Sequence, residues 1–372
     1  MDWRAEFPGL ARTTYLNSCA HGLLSRRVRR AVDAHLDRWQ DDPDWGAWGD
    51  AVEAARAQFA RLIHASPKDV AVVANASQGI AAVMGALVPR PGRDVLVTWE
   101  NDFPTSQALA ERQRARGFRH RRIAGEGLVL RADSWARRLG DDAALAIVPA
   151  VASFSGYRLD LKAFVAAAHA RGTPVLVDAF QAAGTYDINV QALDVDFLVS
   201  GVYKWLLAPA GLAFLYVHPD HAARMQPVAS GWLALEEPYA FDPLGPLAAD
   251  ARRFQSGGAS VVGCVAAAES LALVQEVGVG AIERRNRALV ERAMAHARER
   301  KWEVLTPEAP EERASIVTFR VPDPAAAMAT LARERVVVNP RLGGLRVSPH
   351  FYNDEGDVDR LFEALGEGAS PQ

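Results

Sequence analysis

The sequence holds little cysteine, little lysine and no long apolar run. Its only cysteines are Cys19 and Cys264, too few for a disulfide framework, which excludes the small stapled secreted folds and suits a reducing compartment. No apolar stretch approaches the roughly 20 residues that cross a bilayer, and the first residues carry no signal-peptide core. A cytoplasmic protein without a membrane partner is therefore expected. The formal charge of −3 and pI near 6.3 leave no electrostatic footprint for nucleic acid. Repeats are absent, and the one biased segment is a short Gly/Ser/Pro tail at 366–372. What is present is an ordinary globular composition, 49% hydrophobic and 23% charged, over 372 residues, enough for two domains.

Apolar runs at 70–73, 95–98, 145–149, 175–178, 197–199 and 213–217 alternate with segments of helical periodicity at 80–87, 105–116 and 161–171. That alternation predicts an α/β domain with a mostly parallel sheet covered by helices. Arginines crowd 26–30 and 112–122, and both stretches read as helical or solvated surface. Proline and glycine thicken around 233–246, so a large domain over 16–250 is expected. Residues 1–15 and 251–372 are assigned to a smaller α+β domain. Its expected elements are helices at 263–275, 282–300 and 356–365 and strands at 315–321 and 345–348.

The scarcity of lysine gives weight to one of them. Lys68, Lys162, Lys204 and Lys301 stand against 38 arginines, and Lys204 lies in Ser200-Gly201-Val202-Tyr203-Lys204-Trp205, between two apolar runs. An amine placed there is partly desolvated, which favours its neutral, nucleophilic form. Arginine cannot serve in that way, because it stays protonated and forms no Schiff base. A lysine at a strand end can also simply reach solvent along its aliphatic stem. The preceding segment changes the balance: 173–178 reads as a short buried strand ending in Asp178, with Gln181 three residues on. If that strand and 197–199 are parallel neighbours, Asp178 and Lys204 emerge at the same carboxyl edge, where open α/β sheets bind ligands. An acid and a lysine so placed suit pyridoxal 5′-phosphate. The amine holds its aldehyde as an imine, and the carboxylate keeps the pyridine nitrogen protonated. An Asp–Lys ion pair at a sheet edge is the plain structural alternative.

At these residues, 175–184 with 194–217, the chain resembles the pyridoxal-phosphate enzymes of fold type I, in the class V aminotransferase group. That group includes cysteine desulfurases, kynureninase and isopenicillin N epimerase. The resemblance runs from Tyr15-Leu16-Asn17 to Arg346-Val347-Ser348-Pro349-His350-Phe351-Tyr352-Asn353, nearly the whole chain. It implies a seven-stranded, mainly parallel sheet in the large domain, a smaller C-terminal α+β domain, an amino-acid substrate and a homodimer with shared active sites. In this pattern Lys204 forms the internal aldimine and Asp178 faces the pyridine nitrogen. Ala76 and Ser77 fall on the phosphate-binding turn, where small and hydroxylated residues at a helix start also suit an anion in their own right. Tyr203 matches the tyrosine that kynureninase sets on the same phosphate. Phe103 falls where an aromatic ring covers the pyridine face, although a core phenylalanine at a strand end fits too. Gln181 matches the residue that bonds the phenolic oxygen, and Ser153 stands where relatives often carry Asn or His. Arg346 matches the clamp on the substrate α-carboxylate, a contact suited to its planar fork, with Asn17 on the same substrate side.

Some positions depart from the pattern. Gly258 replaces a threonine that reaches the neighbouring subunit's phosphate, leaving that contact to Ser260. Phe103 stands in place of the desulfurase histidine, and 334–345 has no cysteine on the loop before the clamp arginine. With Cys19 and Cys264 elsewhere in the pattern, persulfide chemistry is disfavoured. Gln181 in place of histidine weakens a kynureninase assignment. Amino-group transfer is the expected reaction, with cleavage at Cβ, C–S lysis and epimerisation open. A non-catalytic cofactor-binding scaffold is disfavoured by the presence of both Lys204 and Asp178, and no metal is expected. Trp45, Trp48, Tyr157 and Trp232 are candidates to line an aromatic-accepting pocket or to be ordinary core.

Overall fold

The computed structural model describes residues 3–366; the tail read from composition lies, from 367 on, outside them. Short runs rich in β-branched residues form the large-domain strands. After β1 (Thr14–Tyr15) come β2 (Val70–Val73), β3 (Val95–Trp99), β4 (Arg119–Ile123), β5 (Ala143–Pro149), β6 (Val175–Asp178), β7 (Phe197–Gly201) and β8 (Ala213–Val217). β2 to β8 make one seven-stranded sheet in the order β2-β8-β7-β6-β5-β3-β4. From β4 to β7 every neighbour is parallel, while β8 runs antiparallel between β7 and β2. β3, β7 and β8 are buried along their whole length, as expected of a sheet covered on both faces.

The sequence pattern gives no strand at 119–123, because Arg119-His120-Arg121-Arg122 offers no buried face to read. Those residues form β4 at the sheet edge. Arg119 pairs there with Asp94 at 2.6 Å and Asp142 at 3.1 Å, and Arg121 with Asp142 at 2.8 Å. Charged side chains on an edge strand block further pairing. The arginines at 26–30 open helix Arg26–Asp41, as expected.

The small domain holds β9 (Val317–Arg320), β10 (Val336–Val337), β11 (Asn339–Arg341) and β12 (Gly344–Val347). An antiparallel sheet β11-β12-β9 and a parallel β1–β10 pair pack with helices Val279–Glu299 and Glu355–Leu365 around Leu289, Phe319, Leu345 and Phe362. Beyond the expected boundary at 250/251 the chain still packs against the large core. Helix Val261–Val277 lies against helices Arg26–Asp41 and Trp45–Leu62 and contributes Cys264, Leu271 and Val274 to the large core. At Gly278 the chain bends by 75° into Val279–Glu299, whose Ile282 joins the large cluster while Leu289, Val290 and Ala293 join the small one. The first residues divide as well. β1 joins the small domain, whereas Phe7 and Leu10 enter the large buried cluster with Phe351 and Tyr352. Among the described residues no single helix is long and apolar enough to cross a membrane.

Candidate active site

Asp178 is the last residue of β6, and the register sets it between Pro149 of β5 and Val199 of β7. β6 and β7 are parallel neighbours, so the turn after β7 carries Tyr203 and Lys204 over the same carboxyl edge as Asp178. Two glycines make this approach possible. A Cβ on Gly201 would lie 2.2 Å from the Phe180 ring, and one on Gly22 would lie 2.2 Å from the Lys204 carbonyl oxygen. Gly22 instead donates its N–H to the Tyr203 carbonyl at 2.8 Å, tying the N-terminal segment to the lysine turn.

A cleft opens at this edge. All eight residues expected around the cofactor line it: Ala76, Ser77, Phe103, Ser153, Asp178, Gln181, Tyr203 and Lys204. Ala76 and Ser77 start helix Ala76–Gly85, whose cap Asn75 accepts from the Gln78 N–H at 2.9 Å and leaves first-turn N–H groups for an anion. Phe103 is 44% exposed, which rules out the core reading and leaves its ring free to cover a ligand. Arg346, on β12, is buried and donates from Nη1 to the Ser153 carbonyl at 2.6 Å. Asn17 bridges to Ser348, two residues beyond Arg346.

Burial lowers the Lys204 amine to about 8, against the opposing pull of Asp178. The amine nitrogen lies 4.1 Å from the Phe180 ring centre and 5.7 Å from that of Phe103. Burial raises Asp178, while the Phe180 N–H at 2.9 Å and Lys204 hold it back. A second carboxyl, Asp102, lines the same cleft, and burial followed by the Asp178 charge pushes it up to about 8.

The floor is tied together by a chain of hydrogen bonds. His350 accepts the Phe351 N–H on Nδ1 at 2.9 Å, so its Nε2–H donates to the Trp205 carbonyl at 3.0 Å. Trp205 Nε1 donates to Gln181 Oε1 at 2.8 Å, and Gln181 Nε2 donates to the Cys19 carbonyl at 3.0 Å. One Gln181 amide hydrogen is left for a ligand. Asn17 Oδ1, Asp102 Oδ2, Ser153 Oγ and Arg346 Nε are buried with no hydrogen-bond partner among the described residues. Such groups are costly unless a ligand satisfies them.

Several of these neighbours were not read from the sequence. Phe180 and Asp102 flank predicted residues and carried that much signal. Cys19, which the motif places outside the loop before Arg346, lies next to the site, its carbonyl bonded by Gln181 and its thiol beside the Arg346 guanidinium. His350 and Cys19 come from opposite ends of the chain, and nothing local marks them. Of the four aromatic candidates none lines the cleft. Trp45 and Trp48 cluster with Trp39, Tyr157 bonds the Leu130 carbonyl, and Trp232 stacks on Phe241.

Comparison with known proteins places this arrangement. The aminotransferase class-V profile matches residues 46–361. The chain belongs to the class V aminotransferase family. This class V enzyme is 30% identical to an uncharacterised aminotransferase of Bacillus subtilis, over 98% of the chain and 96% of that protein. It is equally 30% identical to a kynureninase of Deinococcus radiodurans (97% and 91% covered) and to an isopenicillin N epimerase of Streptomyces clavuligerus (84% and 83%). A cysteine desulfurase from Thermococcus onnurineus superposes with a TM-score of 0.88 at 22% identity, covering 98% of this chain and 97% of that one. The cystine C–S lyase C-DES, solved with cysteine persulfide, gives 0.89 at 22% identity, with 98% and 100% covered. These likenesses establish the fold, fold type I. The class V enzyme is pyridoxal 5′-phosphate-dependent, and the residues present fit that cofactor. A helix N-terminus suits its phosphate, a desolvated lysine its aldehyde, a buried carboxyl its ring nitrogen and a half-exposed aromatic ring its face.

Proposed function

We propose that this class V enzyme transfers an amino group between an α-amino acid and a 2-oxo acid. Lys204 would hold the cofactor, Asp178 would accept a hydrogen bond from its ring nitrogen and keep that nitrogen protonated, and Ser77 with the first-turn N–H groups and Tyr203 would hold its phosphate. Phe103 would cover the ring and Gln181 would donate its free amide hydrogen to the phenolic oxygen. When bound, the cofactor supplies a covalent attachment for the substrate nitrogen and a ring that withdraws electrons from the α-carbon. Arg346 and Asn17, with orphaned buried atoms beside Ser153, would take the substrate carboxylate.

The observation that carries the reading is that, among the described residues, Lys204 is the one amine lining the cleft, walled by Phe103 and Phe180. A single amine with its charged form disfavoured by burial suits taking the proton from the substrate α-carbon and delivering it to a second carbon on the same face, as amino-group transfer requires. Sulfur transfer asks for a cysteine that travels, whereas Cys19 is held at its N–H by Ser348 Oγ at 3.0 Å and at its carbonyl by Gln181. Tyr203 and the kynureninase likeness support cleavage at Cβ as the second reading.

A homodimer is part of the proposal. It is supported by exposed Val228, Tyr239, Phe241 and Leu244, the last 91% exposed, with Val228 lining one groove together with Gly258. Ser260 is not free to replace the missing threonine, since its hydroxyl caps helix Val261–Val277 through the Gly263 N–H at 3.2 Å. A reducing, cytoplasmic setting is supported by two unpaired cysteines. The test is to give the holoenzyme single amino acids and look for a stoichiometric 2-oxo acid, with the cofactor spectrum restored by a second 2-oxo acid. Ammonia with pyruvate, a Cβ-cleavage product or the opposite enantiomer as main product would overturn the reading.

A further inference from the structure

The small domain carries two arginines, not one, close enough to Lys204 for both charges to act on its amine. β11 and β12 are antiparallel, with Asn339 opposite Arg346 and Arg341 opposite Gly344, and β9 sets Thr318 opposite Arg346. Opposed residues share a face of the sheet, as do residues two apart on one strand, so Arg341 and Arg346 project from the same side. The diagonal between them is within reach of two long side chains. Arg341 is fixed there by the turn that follows, where Leu342 and Gly343 both take positive φ, 52° and 74°. Two such residues make the tight hairpin turn that holds strand register.

That face lies over Ser153–Phe154. Arg346 donates to the Ser153 carbonyl at 2.6 Å, Thr318 Oγ1 to the Phe154 carbonyl at 2.7 Å, and the Arg341 guanidinium carbon sits 5.8 Å from the centre of the Phe154 ring. Ser153 itself lines the cleft. Among the described residues neither Arg341 nor Arg346 has a carboxylate within ion-pair distance, and the Nε of each is buried without a hydrogen-bond partner. Elsewhere the arginines are routinely paired, as Arg119 is with Asp94 and Arg292 with Asp359. Unpaired guanidiniums of like charge side by side are unfavourable unless anions neutralise them. Burial first, and then Arg341 beside it, disfavours the charged form of Arg346. One substrate α-carboxylate answers for one of the two.

We propose that the site takes acidic α-amino acids and their 2-oxo acid counterparts, with Arg346 on the α-carboxylate and Arg341 on a second carboxylate at the end of the substrate side chain. This rests on the amino-acid site described above and names the substrate class for it. The planar fork of arginine matches a planar carboxylate, and the Phe154 ring under Arg341 holds the guanidinium for that contact.

The experiment measures binding separately from turnover. Glutarate and pentanoate, which differ only in the terminal carboxylate, are titrated into the holoenzyme by calorimetry, and L-glutamate and L-norvaline are compared in kcat/KM. The native protein should favour the diacid by about ten- to hundredfold, the worth of a charge-assisted hydrogen bond. Arg341→Gln should bring the ratio near one, and Arg341→Lys, which keeps charge but loses the fork, should retain part of it. Arg346→Lys should weaken glutarate and pentanoate together. A native ratio near one overturns the proposal, as does a ratio that survives in Arg341→Gln. If Arg341→Gln does not fold, an undiminished ratio in Arg341→Lys counts against the fork contact. A protein that discriminates glutarate yet forms no 2-oxo acid would refute amino-group transfer while leaving this assignment standing. One that forms 2-oxo acid without discriminating would do the reverse.

Discussion

The pH dependence of cofactor capture tests the chemistry of Lys204 most directly, because only the neutral amine attacks an aldehyde. With the amine lowered to about 8 by burial, its neutral fraction rises with pH and then saturates. From a midpoint near 8 that fraction is roughly one-tenth at pH 7 and nine-tenths at pH 9, about a tenfold gain that levels off. An ordinary exposed lysine near 10.4 would gain about a hundredfold over the same interval, with no plateau. Asp178 pulls the amine the other way, so in Asp178→Asn the midpoint should move to lower pH. The assay mixes apoprotein with excess pyridoxal 5′-phosphate at a series of pH values. It records the rate at which the visible band grows, then fixes the adduct with borohydride and locates it by peptide mass. A rate that climbs in proportion to hydroxide up to pH 10 would show that the amine is solvated. A reduced adduct on exposed Lys162 would show that the wrong lysine has been read.

Asp178→Asn should also keep its cofactor content but lose turnover by about a hundredfold, the usual scale for removing one preorganised electrostatic partner, as judged by steady-state kinetics on loaded enzyme. Near-native turnover would make the carboxylate structural. Cys19 is pinned through both its N–H and its carbonyl, so incubation with cystine or cysteine should leave no persulfide on it by intact-protein mass spectrometry. A +32 Da species on Cys19 would restore a sulfur-transfer mechanism. His350 is fully buried as the neutral imidazole, and burial lowers it to about 4. Its folded-state value lies below its unfolded value of about 6.5, so the stability it allows is present above 6.5 and is lost as pH falls toward 4. Urea unfolding should show this acid loss, at most about 3 kcal/mol, reduced in His350→Gln. Equal acid losses in the two proteins would place the sensitivity elsewhere.

What the sequence determined by itself was local chemistry on local structure. Val175–Asp178 and Phe197–Gly201 are legible as buried strands because their side chains leave no polar face. The turn after each strand then carries Asp178 with Gln181, or Tyr203 with Lys204. Their union needed only that consecutive strands pair in parallel, a strong tendency of α/β folds. The start of helix Ala76–Gly85 was legible for the same reason, since a helix start is written in a few adjacent residues. Tertiary structure alone decided the rest. It brought Cys19 and Gly22 onto the lysine turn from one end of the chain, and His350, Arg346 and Arg341 from the other. It returned helix Val261–Val277 to the first core and turned an arginine-rich stretch into the edge strand β4. Those contacts depend on close packing between segments far apart in the chain, 162 residues between Gln181 and Cys19 and 193 between Arg346 and Ser153. No periodicity records such a contact. An arginine in a sequence this rich in arginine shows its purpose only when the surrounding fold leaves it buried without a partner.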